Sequence, residues 1–254
     1  MNDRQLTALR HLDIRNEAPI TGARGYSMKA AGKTGEIVLY DSIGADWFGG
    51  ISATQFKADL DKLGAVTLIN LRINSPGGQV FDGLTMHNLL ASHKARVVTH
   101  IDGLAASIAS VIAMAGDEIR IADNAMMMIH NAAGGVFGGS EEMRKTADLM
   151  DTISSTICGI YCKRNGETDA TMAALMDAET WMTAADAVKC GLADKVVDPM
   201  NVDNCLAASR LTFKRVPETL KTIANTAPKT SQNRFAAKFE ALRSRALREQ
   251  TRRP

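Results

Sequence analysis

No stretch of this 254-residue chain approaches the eighteen or more consecutive apolar residues that a membrane-crossing helix needs. Its polar opening, MNDRQLTALRHLDIRNEAP, has no hydrophobic segment of the secretory kind, so a cytoplasmic location without membrane contact is expected. Cysteine is scarce. Cys158, Cys162, Cys190 and Cys205 form no C-x-x-C pair, and the first two stand four apart in one expected helix, so they read as small buried thiols rather than a disulfide or metal site. The five histidines form no H-E-x-x-H and have no carboxylate at ligand spacing, which argues against a metal enzyme, and no cofactor or metal is expected. Gly32-Lys33-Thr34 looks like the end of a phosphate-binding loop, but Ser27 replaces its first glycine and no strand is expected before it, which argues against nucleotide binding.

What the chain does contain is enough apolar material, 45% of residues, for one substantial core, and 30 basic against 28 acidic side chains, a balance that argues against wholesale disorder. Residues 1–35 carry little periodicity and read as an N-terminal arm. From Glu36 the pattern alternates. EIVLYD reads as a strand; Ser52 opens a helix with Phe56, Leu60 and Leu63 on one face and Gly64 past its end; a strand follows over 66–73. The helix FDGLTMHNLLASHK, a strand over 96–102 and a helix after Ser107 continue the alternation. This order predicts an α/β fold with a mostly parallel sheet covered by helices. Ser140 as a cap, acidic Glu141 and Glu142, apolar residues recurring from Met143 to Ile160, and Lys163, Arg164 and Gly166 at the far end predict one long projecting helix. Two shorter helices, DATMAALMDA and AADAVKCG, lead to a last strand, LADKVV. The domain over 36–198 should end there, because residues 199–254 form a basic tail: from Arg210 to Pro254 there are twelve Lys or Arg against three Glu. Phe235, Phe239, Leu242 and Leu247 lie at helical spacing among its arginines, the pattern of an amphipathic helix.

Three strand-to-turn units carry the chemistry. A serine hydroxyl needs a base within hydrogen-bond reach and fixed donors for the oxyanion it generates. Ser107 stands where a strand turns into an apolar helix, after Gly103 and two alanines that leave space around it. The local pattern is not the G-x-S-x-G elbow, since Ala105 and Ala109 take the glycine positions, and a plain helix-capping role for Ser107 is the alternative. His130 ends the apolar strand AMMMI before the loop Asn131-Ala132-Ala133-Gly134-Gly135. An imidazole there can take and return a proton near neutral pH, whereas His87 and His100 read as structural. Asn74-Ser75-Pro76-Gly77-Gly78 is a turn whose glycines let backbone N–H groups approach a substrate carbonyl. Together these units read as a serine hydrolase, with Ser75 and Ser110 as the next candidate nucleophiles.

The segments I-N-S-P-G-G at 73–78, D-G-L-A-A-S-I-A-S at 102–110, M-M-I-H-N at 127–131 and W-M-T-A-A-D-A-V-K-C-G-L-A-D at 181–194 closely resemble the Clp protease proteolytic subunit family over about residues 36–198. The resemblance implies a Clp protease/crotonase-type spiral ββα core, Ser107 as nucleophile, His130 as base, and an oxyanion hole of the Gly78 and Ile108 N–H groups. It also implies ring pairing through the long helix over 141–164 and sevenfold homo-oligomeric rings. The acidic triad position departs from the family's pattern: Glu179 stands there, with Asp177 as competitor. G-D-E-I-R-I, H-N-A-A-G-G and D-A-E-T-W-M-T-A look most like the phage branch, head maturation proteases that trim scaffold and capsid protein, and the long tail fits that branch. The competing expectations are a subunit dependent on an unfoldase ATPase and a non-catalytic assembly factor whose basic tail contacts capsid or DNA. Crotonase-type acyl-CoA enzymes share the fold, but they would not require the Ser107 and His130 pair.

Overall fold

A computed structural model describes residues 25–45 and 50–199 of the chain. Most of the expected arm, 1–24, and the tail from 200 onward, including its amphipathic helix, lie outside the described residues. In chain order the elements are β1 (Tyr26–Ala31), β2 (Thr34–Leu39), α1 (Ala53–Lys62), β3 (Leu68–Ser75), α2 (Val80–Ala91), β4 (Arg96–Ala106), α3 (Ile108–Ala113), β5 (Glu118–Ala122) and β6 (Met126–Ile129). They continue with α4 (Ser140–Asn165), α5 (Asp169–Asp177), β7 (Thr180–Thr183), α6 (Ala184–Lys189) and β8 (Lys195–Val197).

Strands β2, β3, β4, β5 and β8 pair in parallel in that order, and β1 adds an antiparallel edge. The class is therefore the expected α/β, with helices between parallel strands. Period-two burial sends Ile37, Leu39, Ile69, Leu71, Ile73, Ile119 and Ile121 to the helix-covered face. Phe56 and Leu60 of α1, Met86 and Leu90 of α2 and every residue of α3 close over them. Each such aliphatic side chain contributes roughly 1.5–3 kcal/mol when fully buried, so this one core dominates stability.

The opposite face is polar. Arg72 and Asp102 pair at 2.5 Å, and the Tyr40 hydroxyl donates to Asp102 Oδ2 at 2.6 Å. Glu118 gathers Arg96, Arg120 and Lys195, and its bonds to Arg120 and Lys195 hold its carboxyl down to about 2.

Several sequence expectations are corrected here. Residues 26–31 are not part of an arm: they form β1, joined to β2 by a tight turn in which Gly32 takes a φ of +61°. The Gly-Lys-Thr segment is that hairpin and its exit. Strand β4 does not stop at Asp102 but runs on through Ala106, because its two halves pair with different partners: Val98–Ile101 with β5, and Leu104–Ala106 with β6. Near the junction a Cβ on Gly103 would come within 2.8 Å of Asn74 Oδ1, so no larger residue fits without displacement. Strand β6 in turn pairs antiparallel with β7. Neither β5 nor β7 is expected from the sequence.

The long helix is α4, 26 residues and about 39 Å at 1.5 Å per residue. Its cap is Gly139, without a side-chain bond, and Ser140 is its first residue; Gly166 closes it in the left-handed conformation. Only Ile157, Cys158 and Tyr161 are fully buried, while Met143 and Leu149 are 52% exposed, so the N-terminal half projects from the domain.

His100, on the polar sheet face, has its imidazole pushed down to about 4 by burial and by Arg72 and Arg120. The native state therefore resists a proton that the unfolded chain accepts below its ordinary value of 6.5. Native stability should fall as the pH drops from 6.5 toward 4. Urea denaturation across that window should show this component in the unaltered protein and its loss in His100→Gln.

Candidate active site

The end of β4 delivers Ser107 in an unusual backbone state, φ 55° and ψ −129°, which a residue bearing a Cβ occupies at a cost of about 1–3 kcal/mol. A polar network holds it there. The Ser107 N–H donates to the Met128 carbonyl at 3.0 Å, and the Ser110 hydroxyl lies 2.6 Å from the Ser107 carbonyl and 3.1 Å from that of Met128. Behind Ser110, the Tyr161 hydroxyl of α4 closes the chain at 2.8 Å. Gly77 presses against the turn from the other side, where a Cβ would come within 2.8 Å of Ser107 Cβ and of the Ala106 carbonyl oxygen.

Ser107 precedes α3 but makes no side-chain cap bond. Its Oγ lies 2.8 Å from His130 Nε2. A capping role is therefore excluded in favour of a hydroxyl–imidazole pair. The two meet because β4 and β6 are parallel and in register, Ala106 opposite Met128, so both chains leave the sheet at the same edge. Both side chains are half-buried.

The β6–β7 ladder places the acidic candidates. Ile129 faces Thr180 in the last pair of that ladder, so His130 and Glu179 each lie one residue past its end. Glu179 is 9% exposed, has φ 43°, and its Oε1 is 3.5 Å from Trp181 Nε1. Asp177, at the exposed end of α5, accepts from Asn131 Nδ2 at 2.7 Å. Glu179 thus lies just past the end of the β6–β7 ladder, and Asp177 is bonded to Asn131, the chain neighbour of His130.

The glycine turn is strapped to residue 43: Ile43 N–H donates to the Gly77 carbonyl at 2.9 Å, and Gln79 N–H donates to the Ile43 carbonyl at 2.8 Å. Gly78 lies between them and its N–H takes no part in that strap. With φ +150°, a Cβ at Gly78 would fall 2.0 Å from the Ile43 carbonyl oxygen, so only glycine is accommodated. Gly78 and Ile108 line a cavity of about 290 Å³ together with Ser107, His130 and the 131–134 loop. Among the described residues, neither the Gly78 nor the Ile108 N–H has a protein acceptor. Ser75 and Ser110 are both fully buried and bonded to main-chain carbonyls, Ser75 to that of Asp41 at 2.7 Å, which removes them as nucleophiles.

The Clp protease family profile matches residues 25–200. The chain belongs to the Clp protease family. Over 132 residues it is 33% identical to the ATP-dependent Clp protease proteolytic subunit of Deinococcus radiodurans, an alignment that covers 51% of this chain and 65% of that protein, just under two thirds of the relative's length. Its sheet and helices follow the Clp protease fold.

In this Clp protease family member, sequence reasoning overlooked the support behind the serine. Tyr161 follows Ile157 by one helical turn and so lies on the expected apolar face of α4, but nothing in its spacing marks a hydroxyl aimed at Ser110. Ser110→Ala would leave the buried Tyr161 hydroxyl without its partner, a cost of about 1–3 kcal/mol, whereas Tyr161→Phe should cost nearer 1 kcal/mol. Urea denaturation midpoints of the two variants should rank in that order.

Proposed function

We propose that this chain is a serine endopeptidase in which Ser107 is the nucleophile, His130 the general base and acid, and Glu179 the group that orients the imidazole. The carrying observation is the 2.8 Å contact between Ser107 Oγ and His130 Nε2 at the mouth of a cavity with two unengaged N–H groups. Ser107 Oγ attacks the scissile carbonyl as its proton passes to His130 Nε2. The oxyanion forms beside the Gly78 and Ile108 N–H groups, and donors so fixed are worth about 10²–10³ in rate apiece. His130 then gives the proton to the leaving amine, and the acyl-enzyme is hydrolysed by water activated at the same imidazole.

The proposed substrate is scaffold or capsid protein in a phage prohead, cleaved by a ring-forming homo-oligomer, seven subunits per ring, paired through α4. This reading rests on the phage-like wording of the motifs and on the basic tail, most of which lies beyond the family match. A second reading, dependence on an unfoldase ATPase, is favoured by the name of the Deinococcus relative. Cleavage of a capsid or scaffold precursor by the purified chain without ATP supports the first. Cleavage only on adding an ATPase supports the second. DNA or capsid contact through the tail is a separate element of the proposal, and deletion of residues 210–254 should lower retention on DNA in a salt-dependent way.

For the site itself, Ser107→Ala should abolish fluorophosphonate labelling while leaving oligomer size unchanged. Glu179→Gln should reduce turnover by about 10³–10⁴-fold, and Asp177→Asn by less than about tenfold. The reverse ranking would transfer the orienting role to Asp177.

A further inference from the structure

Outside the catalytic cavity, two thiols and a carboxylate converge where α4 meets α5. Cys158 and Cys162 stand one turn apart on α4 with their Sγ atoms 4.0 Å apart. Asp169, the first residue of α5, brings its carboxylate to the same point: one ligand atom from each residue lies within 4.8 Å of the other two. Both thiols are free of disulfides. A buried cysteine ordinarily acts as a small hydrophobe, but here Cys158 turns to the other sulfur and to the Asp169 carbonyl oxygen at 3.5 Å. The space beside them forms a cavity of about 250 Å³, bordered by Cys158, Asp169, Asp177 and Ser155. Cys158 is buried, Cys162 half-buried and Asp169 exposed, so the cluster has a closed side and an open one.

The donor set is selective. Two sulfurs and one carboxylate oxygen suit a borderline, thiophilic ion, whereas magnesium and calcium demand more oxygen ligands than the cluster offers. For tetrahedral zinc with Zn–S bonds of about 2.3 Å the sulfur–sulfur edge is about 3.8 Å, close to the separation in place. We propose that Cys158, Cys162 and Asp169 form a binding site for a divalent cation of the zinc class, with three protein ligands and a fourth position open to the cavity. The ion would staple α4 to the start of α5, whose far end carries Asp177 on Asn131, next to His130. The proposal is independent of the peptidase reading.

Cadmium titration of the full chain tests it through the ultraviolet thiolate-to-cadmium charge-transfer band. The unaltered protein and a Cys190→Ser variant should each take up one Cd²⁺ per chain with the intensity of two thiolates. Cys162→Ser should halve that intensity and weaken binding by more than about tenfold, the least that even the loss of an outer-sphere partner can cost. Asp169→Asn should keep the band and weaken binding by a similar factor. Undiminished, full-intensity binding in Cys162→Ser, or unchanged affinity in Asp169→Asn, would overturn the proposal. X-ray absorption on the zinc-loaded, unsubstituted chain needs no variant to fold: two sulfurs at about 2.3 Å support the site, and a shell without sulfur refutes it.

Discussion

Everything in the site depends on β4 pairing with two partners in succession. Its first half lies in the main sheet beside β5, and its last three residues turn aside to β6. A single straight ladder would leave Ser107 at one end of the sheet and His130 with no reason to be near it. The switch of partner brings the end of β6 level with the end of β4, and a hydroxyl and an imidazole 23 residues apart meet at 2.8 Å. At the bend, Gly103 is what the crowding of Asn74 on β3 against it requires.

The backbone of Ser107 is strained, and its cost of about 1–3 kcal/mol is of the same order as the hydrogen bonds that oppose it, each worth about 0.5–1.5 kcal/mol net. They converge on the Ser107 and Met128 main chain, where the single proton of the buried Ser110 hydroxyl is shared between two carbonyls. Ser110 is in turn held by Tyr161, whose hydroxyl is fully buried and whose ionisation is strongly disfavoured by that burial. The nucleophile turn is thus tied to the same helix whose other end projects from the domain. α4 links its exposed N-terminal half with the geometry of Ser107.

Local signals were legible where one turn of chain settles the conformation. Ser52 accepts from Gln55 N–H, and Thr183 with Asp186 forms a reciprocal cap, as their positions before apolar runs suggest. Gly166 ends α4 in the left-handed state that its place after Lys163 and Arg164 implies. Strands β1, β5 and β7 were not legible. β1 is an edge strand with most of its side chains exposed, so it lacks the alternation that marks a half-buried strand. β7 is four residues long and gains its identity from pairing with β6 rather than from its own pattern.

Ser107, His130 and the glycine turn could be chosen from the amino-acid sequence because each needs a residue type that local chemistry restricts: a hydroxyl at a strand end, an imidazole before a loop, and a glycine where a Cβ would strike a carbonyl. Which carboxylate stands beside the imidazole could not be chosen that way. Asp177 and Glu179 are two residues apart, yet the fold separates them: one sits at the exposed end of α5 bonded to Asn131, the other is buried just before β7, which runs antiparallel to β6. Register is a long-range pairing property, and a shift of one residue would reverse every side chain's face. That is why Ser107, His130 and the glycine turn could be singled out in the one-dimensional chain, while the placement of the two carboxylates, and the tie from Tyr161 to the Ser107 turn, required the folded sheet.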